Sequence, residues 1–272
     1  MSTDRDVARC LSSIRELSAA LAAELVSLRP AAWDGPTNCP PWRVRDLVAH
    51  VVVSGEGFAA SVRQGLAGSV EPSITSEARA RRQTEIETAG PRNAARALQA
   101  VTDDFAALYA GLADDQLATI CFHRRGNRSV RWYAAHRLAE VAFHWWDVQV
   151  SLGHEPELNE QVAALLLPTL LESNAPRTYA VGLTPRRGSG ERYLLAVADD
   201  PLARWLVTIE PDRLEARRAD APADLTVTGS AAALALLAYG RFELPALMQS
   251  GALRVAGDLT LTDRFALIFP RP

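Results

Sequence analysis

Lysine is absent from the 272 residues, and all 29 basic side chains are arginine. Together with alanine-rich stretches this bias indicates a high-GC genome and by itself says nothing about chemistry. Cysteine is scarce: Cys10, Cys39 and Cys121 are odd in number and widely spaced. That usage excludes a disulfide framework and favours a reducing compartment. No apolar run approaches the ~20 residues needed to span a bilayer, so a membrane is not an expected partner. The opening MSTDRDVARC lacks the basic-then-apolar layout of a secretory signal, which makes the cytoplasm the expected location. Neither sign of charge dominates, and a net charge of −3 gives no general affinity for nucleic acid. Internal repeats and low-complexity tracts are also missing, which excludes a solenoid.

What is present is an ordinary globular balance, 48% hydrophobic and 22% charged, long enough for one large domain or two modest ones. The first half has helical periodicity. Val7, Cys10, Leu11, Ile14, Leu17, Leu21, Leu25 and Leu28 form a core-facing stripe. After the turn-rich RPAAWDGPTNCPP, whose Pro40 and Pro41 suit a helix start, a second helix is predicted from about Trp42 to Val62. A polar connection, 71–90, leads to a third helix carrying Ala94, Leu98, Val101, Phe105, Leu108 and Leu112. The fourth runs from Ser129, a suitable N-cap, to near Gly153, a suitable C-terminal cap. A further helix at 157–173 is expected to bend at Pro168. Beyond about residue 178, ERYLLAVAD, RWLVTIE, DRLEARR, ADLTVTG and GALRVAG read as short strands. SAAALALLAYG and FELPALMQ read as helices, and LTLTDRFALIF as a terminal helix or strand–helix mixture. Strands followed by helices imply an α+β module.

Three residues carry the chemistry. Glu140 and His144 stand four apart in RWYAAHRLAEVAFHWWDV, hence on one helix face with Cβ atoms ~5–6 Å apart. His50 ends WRVRDLVAH in another helix and can supply a third ligand. Two imidazoles and a carboxylate with one position left open is a catalytic zinc-type ligand set. His136 shares the face, but at ~1.5 Å rise per residue it lies ~12 Å from His144 along the axis. Bonds of ~2.0–2.2 Å do not let that pair share an ion. The metal ligands are therefore expected to be His50, Glu140 and His144, with His136 a polar core or surface residue.

These segments resemble the mycothiol-dependent maleylpyruvate isomerase family, within the DinB-like superfamily of metal-binding helical bundles. The likeness rests on PTNCPPWRVRDLVAHV (36–51) and RLAEVAFHWWDV (137–148), and on ADLTVTGSAAALALLAYGR and GALRVAGD within 223–258. The last two are similar to a sterol-carrier-like domain. The implied architecture is a two-domain α+β chain: a DinB-like four-helix bundle over 1–175 and a sterol-carrier-like α+β domain over 178–272. The implied function is a metal-dependent, mycothiol-using thiol transferase or isomerase acting on a small electrophile. A divalent metal, zinc by its ligand set, would lower the pKa of the bound thiol. Arg241 matches a family arginine and is the expected catalytic and cofactor-binding residue, its fork suited to a carboxylate. The lysine-free composition fits an actinobacterial source. The expected partners are the electrophile and the thiol, and the expected state is a monomer or homodimer.

Two other readings use the same residues. A metal-bound water in place of the thiol would make a DinB-like hydrolase, and loss of the chemistry would leave a small-molecule binding protein. Asp147, three residues after His144, could orient that ligand or pair with an arginine. Cys39 precedes a helix start, where a thiolate would be stabilised, although a buried structural cysteine is the favoured role. Trp42, Trp132, Trp145 and Trp146 are expected as core or pocket wall. Substrate choice is expected in the connections 63–92 and 113–128, and the arginine-rich CFHRRGNRSV suggests an anionic substrate.

Overall fold

The stripe that begins at Val7 is the buried face of α1 (Asp4–Ser27), where Val7, Cys10, Ile14, Leu21 and Leu25 are enclosed. The computed structural model describes residues 4–271. One helical turn, α2 (Pro30–Trp33), precedes a loop that ends at α3 (Val44–Leu66). Pro40 and Pro41 lie in this loop, ahead of the first helical turn. The helix begins where the Asp46 carboxylate accepts the Arg43 N–H at 2.9 Å, satisfying a donor that has no partner within the helix.

The polar stretch 71–90 is not merely a connection. It contains a helix, α4 (Ser76–Ala89), in which only Ile86 is buried. A helix that is polar nearly all round leaves no apolar period to read. Local and cross-helix polar contacts hold it instead. Thr75 caps it by accepting the Ala78 N–H at 3.2 Å, and Arg82 donates twice to Glu56 of α3, at 2.9 and 3.1 Å to Oε1. Gly90, at φ 81°, ends it, and Pro91 opens α5 (Pro91–Leu108).

A short helix, α6 (Asp114–Ala118), and the antiparallel pair β1 (Ile120–Cys121) and β2 (Arg128–Ser129) lead to α7 (Val130–Ser151). Ser129 caps α7 by accepting the Trp132 N–H at 3.3 Å, and Gly153 at φ 83° follows its end. Helices α1 and α3 each pack on both α5 and α7, giving a four-helix bundle ordered α1, α5, α3, α7. Most of α7 is buried on every side, including Arg137, Glu140, His144 and Asp147.

Packing divides the chain into two compact units, Met1–Glu157 and Leu158–Pro272. This division falls earlier than the boundary near 175 read from the sequence pattern. The reason lies in α8 (Glu160–Thr169), which belongs to the second unit and packs against α10 (Ala231–Ala238). Pro168 lacks the N–H for the Ala164 carbonyl, and the chain passes into a π-helical turn, Leu170–Asn174, before α9 (Ala175–Ala180). The expected bend at Pro168 therefore takes this form.

The second unit is built on a five-stranded sheet: β3 (Glu191–Val197), β4 (Arg204–Ile209), β5 (Leu214–Arg218), β6 (Leu225–Gly229) and β7 (Leu253–Gly257), ordered β5-β4-β3-β6-β7. Only the β3–β6 pair is parallel, with Tyr193 opposite Leu225. The fully buried Tyr193 and Leu195 mark β3 as the central strand. Helix α10 and α11 (Leu244–Gln249) connect β6 to β7, and the segment read as a helix or mixture is the helix α12 (Leu261–Ile268). Among the described residues no helix is long and apolar enough to cross a membrane.

Candidate metal centre

Helices α3 and α7 bring His50, Glu140 and His144 together. Glu140 Oε2 accepts from His50 Nε2 at 2.9 Å, and His144 Nε2 lies 3.7 Å from the same oxygen. The three donor atoms lie within 4.8 Å of one another. The two imidazoles meet edge to face with centroids 5.2 Å apart, and the Trp42 ring closes one side, 4.8 Å from His50. Glu140 and His144 are buried, while His50 is half-buried. An ion with bonds of ~2.0–2.2 Å needs donors ~3–4 Å apart. Glu140 Oε2 lies about that far from both imidazole nitrogens, at 2.9 and 3.7 Å, so these residues fit a divalent ion.

Electrostatics prepare the ligands. Burial lowers the His50 pKa, which keeps its imidazole neutral, the form that binds metal. Burial alone would raise Glu140, but the His50 hydrogen bond and the neighbouring histidines outweigh it and hold the carboxyl well below its usual range. Beneath His144 lies the fully buried Asp147, whose Oδ2 accepts from His144 Nδ1 at 3.0 Å. That bond retains the proton on Nδ1 and leaves the Nε2 lone pair facing Glu140.

The orienting role for Asp147 is therefore the one its contacts support. The same carboxylate accepts from Asn38 Nδ2 at 3.0 Å and from Cys39 Sγ at 3.3 Å, tying the loop before α3 to α7. Asn38 carried no signal in the sequence beyond its place in a turn-rich loop. Cys39 is half-buried and bonded to Asp147, not a buried core thiol.

His136 faces the other carboxylate oxygen, with Nε2 3.6 Å from Glu140 Oε1, and stacks on Trp132 at 4.3 Å. It lies outside the ligand cluster, as the helical rise requires. Its neighbour Arg137 is fully buried; Nη1 donates to the Val51 carbonyl at 2.6 Å, while Nε and Nη2 find no partner among the described residues. Burial lowers its pKa to about 10, and Gly55 makes room for it, since a Cβ there would lie 2.7 Å from Cζ. Arg241 belongs to the second unit. Its guanidinium donates to the Tyr239 carbonyl at 3.1 Å and lies over the Tyr239 ring.

Beside the cluster a cavity of about 340 Å³ has His50 and Glu140 in its wall, with Phe58, Tyr133 and His136 as its aromatic side. Pro72–Ser76 and Arg79, and the loop Phe122–Arg124 after β1, also line it. These are the two connections expected to govern substrate choice.

Residues 14–149, half of the chain, match the mycothiol maleylpyruvate isomerase N-terminal domain family, and residues 185–270 match the SCP-2 sterol transfer family. No curated protein sequence matches. Among solved structures, the mycothiol-dependent maleylpyruvate isomerase is similar over 94% of this chain and 96% of its own, at 18% identity and a TM-score of 0.63. A histidine-to-alanine mutant of that isomerase aligns over the same shares at 17% identity and the same TM-score. YfiT from Bacillus subtilis, a probable metal-dependent hydrolase with an unusual four-helix bundle topology, aligns over 57% of this chain and 92% of its own, at 18% identity and a TM-score of 0.48.

Proposed function

The chain belongs to the mycothiol maleylpyruvate isomerase N-terminal domain family, and on that premise we propose a metal-dependent, mycothiol-using thiol transferase or isomerase that acts on a small electrophile. The observation that carries this reading is the His50–Glu140–His144 cluster, which converges from two helices on the wall of a cavity. A divalent metal held there, zinc by its donor set, would lower the pKa of a thiol in its open position and so supply thiolate at neutral pH.

The chain's own residues do the rest. Glu140 contributes the negative charge that balances the cation, and the His50 and His144 imidazoles contribute lone pairs. Asp147 holds His144 in the binding tautomer. Trp42 covers the two imidazoles and restricts water. The cavity holds the electrophile against His50 and Glu140, where a thiolate would meet its reactive carbon. Arg241 is assigned to an anionic group of mycothiol or substrate, its plane oriented by Tyr239. The free thiols accord with a cytoplasmic enzyme, and the arginine-only composition with an actinobacterial source.

The rival use of the same centre is hydrolysis through a bound water. With metal present, a maleyl compound or a chlorinated arene should be consumed only when mycothiol is supplied, and any ester hydrolysis should fall as mycothiol is added. Metal-dependent ester or amide hydrolysis that ignores mycothiol would replace this reading with the hydrolase.

A further inference from the structure

Arg137 is the largest charged side chain that the bundle encloses completely, and the proposed chemistry gives it no task. Its Nη1 donates to the Val51 carbonyl of α3 at 2.6 Å, while Nε and Nη2 meet no partner among the described residues. The acid whose charge acts on it is Glu140, three residues along α7. Buried donors left unmet cost stability, and an apolar side chain of similar volume would fill the same space without that cost. Gly55 is a second unfavourable choice at the same place. Glycine weakens a helix interior, yet a Cβ here would lie 2.7 Å from Arg137 Cζ and 2.9 Å from both Nη atoms. Two residues that each cost stability meet at one contact, so packing alone does not account for it.

The contact falls beside the candidate ligands. Val51 follows His50 in α3, and Arg137 stands one turn before Glu140 in α7. Around His50 the buried side chains of α3 are short and apolar: Val48, Ala49, Val51 and Val52. Apolar burial is non-directional, so these side chains do little to stop one helix sliding along another. A slide by one residue moves a side chain ~1.5 Å, whereas metal–ligand distances hold within about 0.2 Å. A directional bond between the two helices supplies what apolar packing lacks. We propose that Arg137 is a positioning residue, which fixes α3 against α7 through the Val51 carbonyl and so sets His50 Nε2 against Glu140 for metal binding. This rests on the reading of the cluster as a metal centre.

The test compares Arg137→Met, Arg137→Lys and Gly55→Ala in the full chain. Histidine ring signals of the metal-free protein are read by NMR, with His50 assigned from the signal lost in His50→Gln. Zinc affinity is read by competition with a chromophoric chelator. Arg137→Met removes the donor and keeps apolar volume; it should shift the His50 signals and weaken zinc about ten- to hundredfold, the usual loss when a group that orients a metal ligand is removed. Arg137→Lys keeps a donor and should recover part of that affinity, which a role in packing alone does not predict. Gly55→Ala keeps the charge but displaces the guanidinium, so it should reproduce the His50 shift and the zinc loss even if Arg137→Met does not fold. Unmoved His50 signals, wild-type zinc affinity in both Arg137→Met and Gly55→Ala, or no recovery in Arg137→Lys would each overturn the proposal. Wild-type protein that takes up no zinc would instead remove the metal-centre reading, while the His50 signals would still decide the role of Arg137.

Discussion

At the scale of single residues, Glu140 is the pivot, because it alone meets all three neighbouring histidines: His50, His144 and, through its other oxygen, His136. If the cluster binds metal, the purified protein should carry about one divalent ion per chain, and His144→Ala should lose it. Elemental analysis decides the point, and full metal content in a His50→Ala/His144→Ala double variant would remove this site from consideration. Asp147→Asn should lower metal affinity ~10–100-fold while sparing the fold, since it weakens the anchor of a ligand and not the ligand itself. Competition with a chromophoric chelator measures that loss.

The same residues set a pH dependence for the metal-free protein. His50 is held below its ordinary 6.5, so the unfolded chain binds its proton first and stability falls as pH drops below 6.5. Glu140 is held below its ordinary 4.5 and adds stability that is present above 4.5 and lost as pH falls through its folded value. Both act in one direction. Denaturation midpoints measured downward from pH 7 should fall without recovery, and Glu140→Gln should flatten the part below 4.5.

At the scale of elements, the hairpin β1–β2 determines where the loop carrying His123 and Arg124 can sit. It is placed by a close approach to α3. A Cβ at Gly65 would lie 2.3 Å from Cys121 Sγ and 3.1 Å from the Cys121 Cα, so backbone as well as side chain would have to move. Gly65→Ala should therefore cost ~1–3 kcal/mol, the range for overpacking a filled interior. A thermal melt reads the loss, and an unshifted melting temperature would mean that the hairpin yields freely. Element-scale reasoning also shows why α4 escaped the sequence pattern. Its stability comes from Thr75, Arg82 and Glu56, and the partner Glu56 lies 26 positions away from Arg82. Helix α7 is the converse case. Burial on almost every side erases its amphipathic period, yet Ser129 and Gly153 still marked its ends.

At the scale of the molecule, each unit carries its own family resemblance, the bundle over 14–149 and the sheet domain over 185–270. If the second unit serves the thiol or substrate through Arg241, then Arg241→Ala should weaken binding by ~1.5–3 kcal/mol, a ten- to hundredfold change, and leave metal content intact. Calorimetry with mycothiol and elemental analysis on the same sample make the check. Unchanged binding and turnover would leave Arg241 the structural task it already performs at Tyr239.

The Glu140/His144 pair of the candidate metal cluster was legible in the sequence because helix geometry is local. A four-residue step fixes which side chains share a face, and the rise per residue already separated His136 from the cluster. Caps at Ser129 and Gly153, the break at Pro168 and the change to short strands after about residue 178 are local in the same sense. Asn38 and Cys39 lie 109 and 108 positions from Asp147, and no periodicity connects a turn to a distant helix. Arg124 belongs to the arginine-rich stretch that suggested an anionic substrate, but only packing brought it and Arg79 to one cavity. Even the position of α8 depended on a partner, α10, about seventy residues later. The sequence determined the amphipathic and capped helices, the strands and the helix face on which each candidate ligand lies, because these follow from neighbours within a turn or two. The tertiary structure alone decided which distant polar groups meet, because burial and charge compensation are properties of the packed chain.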